Sequence, residues 1–60
     1  MLSQVVQDAI NRQINNEFSA SYSYLAMSAY CERINFIGCA RWLRVQSQEE
    51  YSHGLKLFDF

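Results

Sequence analysis

From Val6 onward, residues recur at steps of four and three: Val6, Ile10, Ile14, Glu17, Ser21, Tyr24, Ser28 and Cys31. Such steps place side chains on one face of a helix at coiled-coil spacing. Phe18, Leu25 and Met27 widen the stripe. A second series, Cys39, Leu43, Gln46, Glu50, His53, Leu57 and Phe60, advances in the same way. The stretch Arg33-Ile34-Asn35-Phe36-Ile37-Gly38 separates the two. Ser3 is suited to cap the first helix, with Asp8 near its start. Asn35 is suited to end that helix or to cap the next. The pattern predicts a helix over about 4–33, a turn over about 34–37 and a helix over about 38–60. No stop signal follows Asp59-Phe60, so the second helix reads as cut in mid-course and the chain as a portion of something longer.

A short connection makes the two helices antiparallel neighbours. Facing residues then have numbers that add to a constant, near 70 for a turn centred on Asn35. Glu17 and His53 meet that sum, and Glu17 and Glu50 come close to it. Glu50 and His53 are three apart and share a helix face. Two carboxylates and one imidazole are therefore expected at one level of an otherwise apolar interface. A carboxylate there is unfavourable unless it is paired or bound to metal. Cys31 and Cys39 also meet near the turn by the same rule.

Carboxylates with one neutral imidazole suit Fe(II), Mn(II) or Zn(II), and the oxygen-rich set leans towards iron or manganese. Helix bundles hold di-iron sites with one Glu from each of two helices and a Glu-x-x-His from each of the other two. Glu17, with Glu50 and His53, is half of that recipe, and Glu50 would bridge two metals. Tyr24 lies two turns beyond Glu17 on the same stripe, where it could bond a ligand carboxylate, donate an electron or simply fill the core. Gln46, one turn before Glu50, is a candidate donor to the ligands. Glu49 sits one position off the stripe, where a solvated side chain and a further metal ligand both fit. Gly54 would let the helices approach closely, and Trp42 would pack at the stripe's edge.

Composition narrows the classes. The chain has 60 residues, half of them apolar, no proline and two glycines. This favours long helices over disorder. The formal net charge of −1 gives no support for nucleic-acid binding. No apolar run approaches a membrane span. Met1-Leu2-Ser3-Gln4 lacks the pattern of a leader, so the default expectation is cytoplasmic. The two cysteines form no CxxC motif. In a reducing compartment they read as buried thiols, although a bridge near the turn stays open.

These residues together resemble the ferritin family. Ile10-Asn11-Arg12-Gln13-Ile14-Asn15, Glu17 and Tyr24-Leu25-Ala26-Met27-Ser28 are similar to ferritin helix A. Arg44, Glu49-Glu50, His53 and Leu57-Phe58-Asp59 are similar to helix B, and the short connection looks like the bacterial non-haem type. The resemblance implies an all-α, ferritin-like four-helix bundle to which this chain contributes an antiparallel hairpin, the N-terminal half of the domain. It implies a cage of 24 subunits, oxidation of Fe(II) by oxygen or peroxide, and storage of a ferric oxyhydroxide mineral. It assigns Glu17, Glu50 and His53 to the first iron, Glu50 to the bridge, Tyr24 to the site-adjacent tyrosine and Glu49 to a third iron site. No haem is expected, because the haem-ligand methionine of bacterioferritins has no counterpart between Glu50 and His53. The cysteine-rich module of rubrerythrins is absent too. Two further readings stand beside this one: a two-helix protein that completes a di-iron site by homodimerisation, and a metal-free structural hairpin.

Overall fold

The structure is a computed structural model that describes residues 3–60. Met1 and Leu2, the first residues of the start inspected above for a leader, lie outside the described residues. The described residues form two helices, α1 over Gln4–Arg33 and α2 over Ile37–Phe58, packed side by side as an antiparallel hairpin 49 Å long. Ser3 caps α1, its Oγ accepting from the Val6 amide at 3.3 Å. Asp8 takes a 2.8 Å bond from the Gln4 side-chain amide.

The turn is built by Asn35, which adopts φ 69°. This left-handed conformation is one that Asn tolerates better than most residues. It lets the Asn35 amide donate to Glu32 O at 3.1 Å and the Phe36 amide donate to Cys31 O at 2.8 Å. The pair of bonds is the Schellman arrangement, which satisfies carbonyls left open at a helix end. Asn35 therefore ends α1. The cap position of α2 falls to Phe36, which offers no side-chain bond. At the far end α2 closes at Phe58, short of the sequence-predicted extent, and the Asp59 and Phe60 amides bond back to Leu55 O and Leu57 O.

Small residues, not large ones, set the distance between the helices. Ser21 and Ser28 on α1 are buried, as are Ala40, Ser47 and Gly54 on α2, each spaced seven apart. Ser21 and Ser47 bond reciprocally: each Oγ donates to the other residue's backbone carbonyl at 2.7 Å, and the two Oγ atoms lie 3.0 Å apart. Ser28 Oγ donates to Ala40 O at 2.6 Å. A hydroxyl reaches a carbonyl already used by its own helix only where backbones run close. These bonds also satisfy side chains that would be costly to bury unpaired.

Three details of the sequence-predicted stripes are corrected here. The buried line of α2 runs through Ala40, Ser47 and Gly54, one residue beyond Cys39, Gln46 and His53; Cys39 and His53 are exposed and Gln46 is half-buried. On α1, Val6, Leu25 and Met27 are exposed, while Ile10, Ile14, Phe18 and Tyr24 are half-buried. The thiols are not both buried, since Cys31 is half-buried and Cys39 open, and Trp42 is exposed as well. Leu43 and Ala40 are the buried apolar side chains among the described residues, so the hairpin's own core is thin.

Candidate metal centre

Glu17 lies midway along α1, on the half-buried edge that faces α2. Glu50 and His53 come from adjacent turns of α2 and meet it. His53 Nδ1 stands 3.7 Å from Glu17 Oε2 and 3.7 Å from Glu50 Oε1. One ligand atom from each of the three residues falls within 4.8 Å of the others. Side-chain exposure is 17% for Glu17, 26% for Glu50 and 53% for His53. The site is therefore a shallow notch, walled by α1 and open on the side of the imidazole.

The donor set fits a metal ion on its own geometry. Donors bound at ~2.1 Å lie about 3.0–3.4 Å apart at octahedral or tetrahedral angles. The 3.7 Å separations need only a few tenths of an ångström of contraction. They are too long for hydrogen bonds. Glu17 Oε2 is buried with no hydrogen-bond partner. An orphaned carboxylate oxygen aimed at an imidazole nitrogen is what a cation would satisfy.

The other oxygen of Glu17 is held in place. Gln13, one turn earlier on α1, donates from Nε2 to Glu17 Oε1 at 2.8 Å. This residue escaped the sequence reading, although its i, i+4 spacing to Glu17 is the clue that would have found it. The proximity of the carboxyls splits their acidities. Glu50's carboxyl, and then the Gln13 amide, hold Glu17 below the ordinary carboxylate value. Glu50 is pushed above it, chiefly by the Glu17 carboxyl beside it and then by burial. Two carboxyls this close resist ionising together, and a bound cation would relieve that.

The remaining sequence-predicted residues stand outside the cluster. Glu49 is exposed. Tyr24 is half-buried on the α1 stripe, and among the described residues no hydrogen bond joins it to Glu17, Glu50 or His53. Gln46 makes no bond to Glu50 either, so Gln13 holds the place that Gln46 was expected to fill. Behind the cluster, Phe18 fills the gap over Gly54 and stacks at a tilt on Tyr51, ring centroids 5.4 Å apart.

A family model described as Ferritin-like domain matches residues 7–60. The chain belongs to the ferritin family. Over all 60 residues it is 47% identical to a protein of Bacteroides fragilis named bacterial non-heme ferritin, covering 38% of that protein. It is 40% identical to a protein of the same name from Staphylococcus saprophyticus and 38% identical to one from Staphylococcus aureus, covering 36% of each. The chain thus spans well under half the length of these curated relatives. No solved structure gives a significant match. The all-α ferritin-like hairpin expected from the sequence is the fold found. Among the described residues no helix is long and apolar enough to cross a membrane.

Proposed function

We propose that the chain is the N-terminal half of a ferritin-like domain whose complete protein is an iron-storage ferroxidase. On this reading Fe(II) is the substrate, oxygen or peroxide the oxidant, and a ferric oxyhydroxide mineral the stored product. The observation that carries it is the orphaned, buried Glu17 Oε2, facing His53 Nδ1 and beside Glu50 across an interface otherwise lined by serine, glycine and apolar groups. Family membership and the names of the relatives support iron as the metal.

The roles follow from each group's chemistry. Glu17 supplies a hard oxygen donor, pinned by Gln13 so that its second oxygen faces the notch. Glu50 supplies a second hard oxygen donor, and it is the bridge to a second iron. His53 supplies the nitrogen donor from the side that the hairpin leaves open. Tyr24 and Glu49 keep the roles implied by the resemblance, a tyrosine near the site and a ligand of a third iron. Each Fe(II) gives one electron to the oxidant, and no haem takes part.

The hairpin leaves large apolar side chains exposed on both helices, among them Val5, Tyr22, Trp42 and Phe58. A four-helix bundle would cover many of these, and further helices would supply the second iron's carboxylates. The 24-subunit cage and the cytoplasmic location belong to the same reading. Its test is Fe(II) oxidation in air by the complete protein, followed by the absorbance of ferric species, against Glu50→Ala. Rapid oxidation that is lost in the variant, with iron retained in a large assembly, is expected. Equal, slow oxidation in both would return the hairpin to a structural role.

A further inference from the structure

Beside the turn, about two heptads along the hairpin from the metal cluster, lies a second pair of reactive groups. Cys31, near the end of α1, and Cys39, in the first turn of α2, are both free thiols with their Sγ atoms 3.6 Å apart. The backbone holding them is fixed by the turn itself. Cys31 O is the acceptor of the Phe36 amide in the Schellman arrangement, and Ser28 Oγ bonds Ala40 O beside Cys39. Closing 3.6 Å to a disulfide's ~2.05 Å needs a movement of little more than 1.5 Å, within the reach of rotation about the two Cα–Cβ bonds.

The two sulfurs are not equivalent. Cys39 is exposed and meets solvent, whereas Cys31 is half-buried at the interface. Cys31 Sγ–H points at Cys39 Sγ, so the half-buried thiol already faces the sulfur it would join. Burial, and then this same bond, push the Cys31 thiol's pKa up. An exposed sulfur beside a neighbouring thiol is the arrangement of an attacking and a resolving cysteine.

We propose that Cys31 and Cys39 form a reversible dithiol–disulfide site that reacts with hydrogen peroxide at the helix turn. The Cys39 thiolate attacks one peroxide oxygen, the O–O bond breaks, and hydroxide leaves to take up a proton as water. Cys39 is then a sulfenic acid. Cys31 attacks its sulfur, the S–O bond breaks, and a second water leaves with the Cys31 proton. In sum, two thiols and one peroxide give one disulfide and two waters; the sulfurs lose two electrons and the peroxide gains them. A dithiol reductant reverses the step by exchange. The product staples the two helices at the turn.

Trypsin separates the cysteines, because Arg33 lies between them. The test treats the complete protein with equimolar hydrogen peroxide, quenches with an alkylating agent and digests without reductant. Expected is a linked pair of peptides, 13–33 with 34–41, which dithiothreitol restores to two thiols. Dimedone should label Cys39 in Cys31→Ser and label nothing on the cysteine left in Cys39→Ser. Two free thiols after peroxide, cross-links only between chains, or dimedone trapping on Cys31 would each overturn the proposal. The linked-peptide measurement is made on the unaltered protein, so a variant that fails to fold does not weaken it.

Discussion

His53 Nδ1 lies 3.7 Å from the orphaned Glu17 Oε2 on the opposite helix, a contact that joins an imidazole to a carboxylate without a hydrogen bond. Side chains 36 positions apart in sequence meet there because the Asn35 turn and the Ser21–Ser47 bonds fix the register between α1 and α2.

Gln13 orients Glu17 without touching the notch. Gln13→Leu removes the 2.8 Å bond to Glu17 Oε1 and frees the carboxylate to rotate. Partners of this kind typically contribute about 10–100-fold in metal affinity. Titration of the complete protein with Mn(II) or Fe(II) under argon should show a loss in that range, with little change in melting temperature.

The split acidities give a pH dependence with a definite sign. Glu50 binds its proton more tightly folded than unfolded, so its contribution is present at low pH and is lost as pH rises from the ordinary value of 4.5 through the raised one. Glu17 is lowered, so its contribution is present above 4.5 and is lost as pH falls through its lowered value. Metal-free protein should therefore become less stable on the alkaline side of 4.5, and Glu50→Gln should flatten that slope. Melting curves of metal-free protein between pH 4 and 8 check this; saturating metal should reverse the trend in the unaltered protein only.

Ser47 links the helices as donor to Ser21 O and as neighbour to Ser21 Oγ. Ser47→Ala removes one buried bond and should cost about 1 kcal/mol. Ser47→Leu forces the backbones apart and should cost about 1–3 kcal/mol more. Urea unfolding of the complete protein measures both, and only the leucine variant should also weaken metal binding.

Gly54 is required by Phe18. A Cβ at Gly54 would meet the Phe18 ring, with Cδ1 at 2.7 Å and Cζ at 2.9 Å, well inside van der Waals contact. Alanine's better helix propensity, about 1 kcal/mol, works the other way. Because the ring is rigid and rests on Tyr51, Gly54→Ala should still destabilise by roughly 1–2 kcal/mol. Adding Phe18→Leu should recover part of the loss, and thermal unfolding of the single and double variants decides it.

The hairpin was legible in the sequence because two long stripes at helical spacing flank a single break, and because antiparallel pairing turns residue numbers into heights. That rule placed Glu17 level with Glu50 and His53, and Cys31 level with Cys39, where the structure has them. The buried line of α2 was less legible. Ala40, Ser47 and Gly54 are small, and a stripe drawn through large apolar and metal-capable side chains passes one residue to the side of them. What buries them is backbone approach, sealed by hydroxyl-to-carbonyl bonds that composition does not announce. His53 reads as a core position for the same reason; it sits one residue short of Gly54, at the interface's rim. Gln13 was hidden because an i, i+4 amide–carboxylate pair is usually a surface feature, and only the burial of Glu17 makes it matter.

The most direct measurement is anomalous diffraction at the iron edge from crystals of the complete protein soaked anaerobically with Fe(II). A peak within bonding distance of Glu17 Oε2, a Glu50 oxygen and His53 Nδ1 together is the predicted result. Iron bound elsewhere, or iron on the two carboxylates with His53 Nδ1 turned away to solvent, would contradict the account.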